Sequence, residues 1–348
     1  MKQPNTPPLR SGSAARKLAL KTLLLLLPFA GIVVLYFHDD PFMTLRRYPV
    51  YDSAVMLNEE MVGWNIYRNN RDSIPFNSFI LGNSCTMAFP CRMWEQHLDP
   101  GDRAIRLFGN GESMRAIYLK LQALERDSAE LKNVLLVLDG TSLSRSQVQS
   151  GYSFLLPPEV SGQSLVGVQL KLLQTFALPN FLFAYLRYRM TGTISSSMKY
   201  MNPYGRIRNP QNNDALNPRE HLIDEQQEAY WRDRPKEFPP RPAQEVVAAP
   251  VIGDEQAQLL RQIAALLHRH RTKVRLIISP DYDQLKLNPA DKAVLDHLFG
   301  RGVVFDFSGI NAYTADYHNY YERGHYRPIL GERLLQAVYE EDEGGKSR

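Results

Sequence analysis

Cysteine is nearly absent. Two thiols in 348 residues, Cys85 and Cys91, exclude a disulfide-stapled scaffold, and no histidine stands at the spacing a structural zinc site requires. Six residues apart in a segment that reads as a helix, they project from different faces about 9 Å apart along the axis, too far to bridge. Both read as small buried hydrophobes. A dominant charge is missing too. The 41 Lys and Arg against 37 Asp and Glu leave a formal +4, with no basic stripe interleaved with aromatics, which argues against nucleic acid as a partner. Internal repeats are absent. With 44% hydrophobic and 22% charged residues, the composition is that of a globular chain with a sizeable core.

Long apolar runs are scarce as well, and only one reaches membrane length. Residues 18–37, with Lys21 snorkelling, form a stretch of about 20 residues, roughly 30 Å as a helix. Arg10, Arg16 and Lys17 precede it and Asp39 and Asp40 follow, which orients the amino terminus towards the cytoplasm. No small-x-small cleavage site follows the apolar core, so the segment reads as an uncleaved single-pass anchor in the cytoplasmic membrane. Residues 1–17 then form a cytoplasmic tail and 38–74 a juxtamembrane segment, and the main domain is periplasmic or extracellular.

Beyond residue 74, strand and helix signals alternate. Apolar runs at 79–81, 104–108, 134–138, 274–278 and 303–305 read as strands, the third buried on both faces. Helical periodicity is expected over 85–97, 114–124, 259–267, 288–299 and 328–338. The pattern implies an α/β domain over 75–340, a parallel sheet with helices on both sides. An insertion at 141–252 interrupts it. Its first part, 165–188, is apolar enough for helices, and Lys171, Pro179 and Arg187 make it a weaker candidate for a second membrane span. It could instead line an apolar groove or be ordinary packing. The second part, 202–250, is polar and Pro-rich with Trp231 as its one large anchor, and reads as an extended loop or cap. Residues 341–348 read as a disordered tail.

In an open parallel sheet, ligands bind at the carboxyl ends of the strands. Those ends carry Gly82-Asn83-Ser84, Gly109-Asn110-Gly111, Asp139-Gly140, Ser279-Pro280-Asp281 and Asp306-Phe307-Ser308. Ser84 has two readings: a helix cap, or a nucleophile at a helix amino terminus where backbone amides stabilise an oxyanion. Near the other end, Glu322 stands three residues before His325, and in a tight loop such a carboxylate can orient an imidazole whose other nitrogen faces a serine. Asp306 is a second candidate for that orienting role. Arg323 and Arg327 flank His325 and are candidate contacts for an acidic ligand, or simply surface charges. Asp281 and Asp283 read as solvated loop carboxylates. His268 and His270 close a helix, and His97, His221, His297 and His318 have no partner at recognisable spacing.

FILGNSCTMAFP, GNGESMRAIY, VLLVLD, VFDFSGIN and YYERGHYRP, spread over about residues 75–340, together resemble the SGNH (GDSL-like) hydrolase superfamily. The likeness is to its membrane-anchored branch associated with acylation of cell-surface polysaccharides. The resemblance implies a flavodoxin-like three-layer α/β/α sandwich and a serine esterase or O-acyltransferase, acetyl being the expected acyl group. It implies Ser84 as nucleophile, His325 as general base, Glu322 in place of the usual Asp, and the amides of Ser84 and of Gly109 or Gly111 as oxyanion donors. It calls for no metal or organic cofactor. A glycan is the expected partner, with a membrane acyltransferase as a second. In one respect the chain departs from the pattern: where many members have an oxyanion-binding Asn after the third strand, Asp139 stands, and an ionised Asp only accepts. Asn110 is the candidate replacement. The alternative is a catalytically degenerate accessory that binds glycan or a membrane partner.

Overall fold

Apolar side chains on both faces of each strand require a sheet covered on both sides, because either face left in water forfeits about 1.5–3 kcal/mol per large side chain. A computed structural model, describing residues 11–345 apart from 196 and 203–207, contains that sheet. Its strands are β1 (Ser78–Gly82), β2 (Ala104–Phe108), β3 (Asn133–Leu138), β4 (Lys273–Ile278) and β5 (Val304–Asp306). All pair in parallel, in the order β2-β1-β3-β4-β5. The longer helices are α1 (Ser11–Asp39), α2 (Glu59–Asn70), α3 (Met114–Arg126), α4 (Leu165–Phe176), α5 (Pro179–Thr191), α6 (Asp254–Arg269), α7 (Pro289–Phe299) and α8 (Pro328–Gly345).

The two-residue period of the strands sorts the core. Phe79, Leu81, Val134, Leu136 and Leu276 pack with Trp64 of α2, Ile117 of α3 and Ile263 of α6. Their alternates Ile80, Leu135, Val137, Ile277 and Phe305 pack with Trp94 and with Leu330, Leu334 and Val338 of α8. β2 would be an open edge, but part of the insertion covers it. The Arg106 amide donates to Asn212 O at 3.0 Å, and Asn213 Nδ2 donates to Arg106 O at 2.7 Å. The Arg106 guanidinium is itself buried and donates to three carbonyls, those of Asn213, Thr86 and Ala215.

Several expectations need correction. The helix expected over 85–97 is two pieces, a 3-10 turn at Ser84–Ala88 and a short helix at Cys91–Glu95, because Pro90 between them cannot donate and cannot follow a helical residue without a clash. The spacing argument for Cys85 and Cys91 lapses with that helix, although both are buried and free. The juxtamembrane segment 38–74 also contributes to the domain: α2 places Val62, Trp64, Ile66 and Tyr67 in its core. The tail expected to be disordered from 341 continues α8 as far as Gly345, and 346–348 lie outside the described residues. Of the tail expected at 1–17, residues 1–10 lie outside them too, and helix begins at Ser11. Within 202–250, two short helices form, Arg219–Gln226 and Glu228–Arg232, and Trp231 is buried. Among the described residues one helix, Ala14–Asp39, is long and apolar enough to cross a membrane.

Two glycines set the close approaches around the end of β1. Gly82 has φ +141°, and a Cβ there would lie 2.1 Å from Val137 O. In α8, a Cβ on Gly331 would lie 1.9 Å from Ala88 O, so this glycine lets the helix dock against the turn that follows Ser84. Gly331→Ala is expected to destabilise the fold by about 1–3 kcal/mol, the usual cost of overpacking, read as a lower urea midpoint at unchanged slope. An unchanged midpoint would contradict this packing of α8.

Candidate active site

β1 ends in a tight turn because Gly82 adopts its positive φ and Asn83 closes the loop. Asn83 is the cap: its Oδ1 accepts from the Cys85 amide at 2.9 Å. Ser84 is thereby released from the capping role. Its hydroxyl lies 2.7 Å from His325 Nε2, across 241 residues of sequence.

His325 sits on a small antiparallel hairpin, β6 (Tyr320–Glu322) and β7 (His325–Tyr326), immediately before α8. Its Nδ1 donates to Glu322 Oε1 across the two-residue turn. Burial pushes the Glu322 carboxyl up, but the hydrogen bond from His325, with the electrostatic attraction of the imidazole and of the Arg219 guanidinium, outweighs it, leaving its pKa below the usual range. An ionised carboxylate only accepts, so Nδ1 carries the proton and Nε2 is the acceptor facing Ser84. The His325 and Glu322 side chains are 31% and 20% exposed, so the pair is held by protein yet open to solvent. The opening is a cleft of about 320 Å³ lined by Met87, Asn202, Arg219, Tyr230 and His325.

The hairpin is braced by the insertion. Tyr230 Oη donates to Tyr321 O at 2.6 Å, and Trp231 Nε1 donates to Tyr320 O at 3.0 Å. From the sheet side, Tyr320 Oη donates to Pro280 O at 2.8 Å. The Cys85 thiol reaches Gly324 O at 3.5 Å, joining the serine turn to the histidine turn. These braces were not foreseen from sequence. The signal available was the adjacent pair Tyr230-Trp231 in an otherwise polar stretch.

The oxyanion side differs from expectation. The Ser84 amide has no hydrogen-bond partner among the described residues, which leaves it available. The Gly109 amide is not: it donates to Glu112 Oε2 at 2.9 Å and lies 3.3 Å from Gly82 O. Gly111 has φ +52°, and its carbonyl accepts from Arg145 and Gln149, each at 2.7 Å. Asn110 lines a separate cleft of about 80 Å³ with Glu59 and Arg208, and Asn202 lines both this cleft and the one at His325. Asp139 does not point its charge at an empty oxyanion pocket. It caps the helix Gly140–Ser144, accepting from the Ser142 amide at 2.6 Å, and accepts from Asn83 Nδ2 at 2.5 Å. Asp139 therefore orients the residue that caps the serine turn.

Behind the Gly109 loop lies a buried ionic triad that sequence reasoning missed. Lys120 Nζ stands 2.6 Å from Glu60 Oε2 and 2.6 Å from Glu112 Oε1, and donates to Leu107 O at 3.0 Å. Burial pushes the Glu112 carboxyl up, with the Glu60 charge adding to it against the attraction of Lys120.

The remaining candidates lie elsewhere. Asp306 does not orient His325; it accepts from the Ser308 amide at 3.0 Å and pairs with Lys286 at 2.8 Å. Arg323 is exposed and pairs with Asp283 at 2.7 Å. Arg327 is held by Glu220 at 2.5 Å and stacks on Trp231, so it supports the hairpin instead of projecting into the cleft. Several histidines have partners that spacing did not reveal: His270 with Glu125, His221 with Glu225, His318 with Asp316 and Glu228, and His97 stacked on Tyr339.

Asp281 is not a simple solvated carboxylate. Half-buried beyond β4, its carboxyl is pushed up to about 8 by burial and by the charges of Asp139 and Asp283. Such a group binds a proton in the folded chain that the unfolded chain releases above the ordinary value of 3.8, so it lowers stability progressively as pH rises from there through about 8. Asp281→Asn is expected to gain thermal stability relative to the parent as pH is raised from 4 to 9, measured by unfolding midpoint. A difference that does not change with pH would contradict this environment for Asp281.

Neither a family model nor a curated protein matches the chain.

Proposed function

We propose that the chain is an SGNH-type serine esterase or O-acyltransferase, acting on acyl esters, acetyl foremost, of a cell-surface or exported polysaccharide. In this reading α1 anchors it in the cytoplasmic membrane with the amino terminus inside and the domain outside. The observation that carries the proposal is the unbroken relay Ser84–His325–Glu322 at the carboxyl end of a parallel sheet. The strand order, two-one-three-four-five, is that of flavodoxin-like folds and supports the SGNH assignment.

The geometry defines the chemistry. As the Ser84 Oγ bonds to the acyl carbon, its proton passes to His325 Nε2, and the imidazolium that forms is stabilised by the Glu322 carboxylate. The Ser84 amide supports the carbonyl oxygen as it gains charge. When the ester C–O bond breaks, Nε2 returns the proton to the departing alcohol. Water or a sugar hydroxyl then gives its proton to Nε2 and attacks the acyl-enzyme, and Ser84 regains its proton as the product leaves. Asn202, Asn217 and Arg219 in the cleft beside His325 suit a hydroxyl-rich acceptor.

A second reading, an accessory that binds glycan without turnover, is favoured by one observation. The Gly109 amide is already committed to Glu112, which leaves fewer preformed oxyanion donors. The two readings separate experimentally. The enzyme reading expects fluorophosphonate labelling and p-nitrophenyl acetate hydrolysis, both abolished in Ser84→Ala, with Glu322→Gln lowering kcat by about 10³- to 10⁴-fold. Labelling equally weak in parent and Ser84→Ala, with glycan binding retained, contradicts turnover and leaves the accessory reading.

A further inference from the structure

α4 and α5 form a helical hairpin whose inner faces pack on the end of α1. Tyr36 Oη donates to Gln169 Oε1 at 2.6 Å, Tyr185 Oη donates to Asp39 Oδ2 at 2.7 Å, and Arg189 Nε lies 3.3 Å from Asp39 Oδ2. Val168, Leu172, Phe176, Phe181 and Tyr185 make a buried cluster with Tyr36 and Phe42, against which Ile32 and Leu35 of α1 also pack. This last contact fixes depth. Ile32 lies five residues before Phe37, the end of the apolar run, or roughly 8 Å along the helix axis. A hairpin packed at Ile32 and Leu35 stands beside the last turns of the membrane-length segment, not beyond them.

The outward side of the hairpin is apolar where a soluble surface would be polar. Leu165, Val166, Leu170, Phe183 and Met190 are each more than half exposed. On α4, Val166 and Leu170 lie only about 60° and 100° round the helix from Gln169, which touches α1, so their exposed surface adjoins that of the anchor. The charge is one-sided as well. No Asp or Glu occurs from Val160 to Asn213, whereas Lys171, Arg187, Arg189 and Lys199 fall in that stretch. Long basic side chains beside exposed apolar ones match an interfacial helix, whose cations reach phosphate while the apolar face enters the acyl boundary by about 5–10 Å.

We propose that the α4–α5 hairpin is seated in the lipid bilayer interface beside α1, as a second membrane contact that fixes the height and tilt of the domain. The occupant of its apolar face is lipid with anionic headgroups. This rests on the reading of α1 as a membrane span and is independent of any esterase activity. It gives physical sense to the apolar stretch over 165–188, which is too interrupted to span but suited to lie at the surface.

The test uses the full chain in nanodiscs of mixed anionic and zwitterionic lipid. A small fluorophore is attached to a single introduced thiol at Val34→Cys, Leu170→Cys, Phe183→Cys or Arg261→Cys; native Cys85 and Cys91 are buried and stay unlabelled in the folded protein. Near-ultraviolet circular dichroism checks that each variant is folded. The proposal expects labels at 170 and 183 to be quenched by lipids doxyl-labelled near the headgroup and protected from aqueous iodide. A label at 34, in the last turns of the anchor at the height of the hairpin, is expected to be quenched by the same lipids, and one at 261 to respond to iodide alone. Quenching at 34 together with iodide access at 170 and 183 overturns the proposal while leaving the anchor intact. Protection of 170 and 183 from both quenchers also overturns it, since a protein surface then covers the hairpin. Absence of lipid quenching at 34 overturns both the proposal and the anchor.

Discussion

The contact between the Ser84 hydroxyl and His325 Nε2 is the constraint around which the domain is arranged. It joins the turn after the first strand to the hairpin before the last helix, so every element between them has to close the chain to within a hydrogen bond. In the proposed reaction the tolerance is narrow: a displacement of about 1 Å in a reacting pair can cost about 100-fold in rate. Gly82, Gly331 and the Cys85–Gly324 contact each remove a way for the two turns to drift apart.

The hairpin that carries Glu322 and His325 is too short to hold its own shape. Two or three residues per strand offer little ladder, and an isolated hairpin is marginal in water. Its rigidity is borrowed. Tyr230 and Trp231 donate to its carbonyls from the insertion, Tyr320 ties it to the end of β4, and Arg327 with Glu220 closes its base. The same insertion covers the open edge of β2 and packs on α1. It therefore links the sheet, the hairpin that carries His325 and the membrane-length helix, three parts that sequence alone presents as unrelated.

Much of the sheet was legible because its signal is local. Five apolar runs, each ended by small polar residues, fall on the five strands, and Ser84 and His325 stand at the ends where a parallel sheet exposes side chains. What was not legible depends on partners distant in sequence. That Asn83 caps the turn, leaving Ser84 free, depends on Asp139 holding the Asn83 amide. The loss of Gly109 as a donor depends on Glu112, whose position is set by Lys120 and Glu60 in a buried triad drawn from two helices and a loop. The break at Pro90 is different: it was written in the sequence, and helical periodicity on either side obscured it.

The relay implies a specific protonation pattern, and nitrogen-15 NMR of histidine-labelled protein reads it directly, with His325→Gln assigning the signals. A strongly hydrogen-bonded, far-downfield Nδ1 proton is expected on His325, lost in Glu322→Gln, together with an Nε2 resonance that shifts in Ser84→Ala. A neutral His325 protonated at Nε2, insensitive to either substitution, would contradict that pattern.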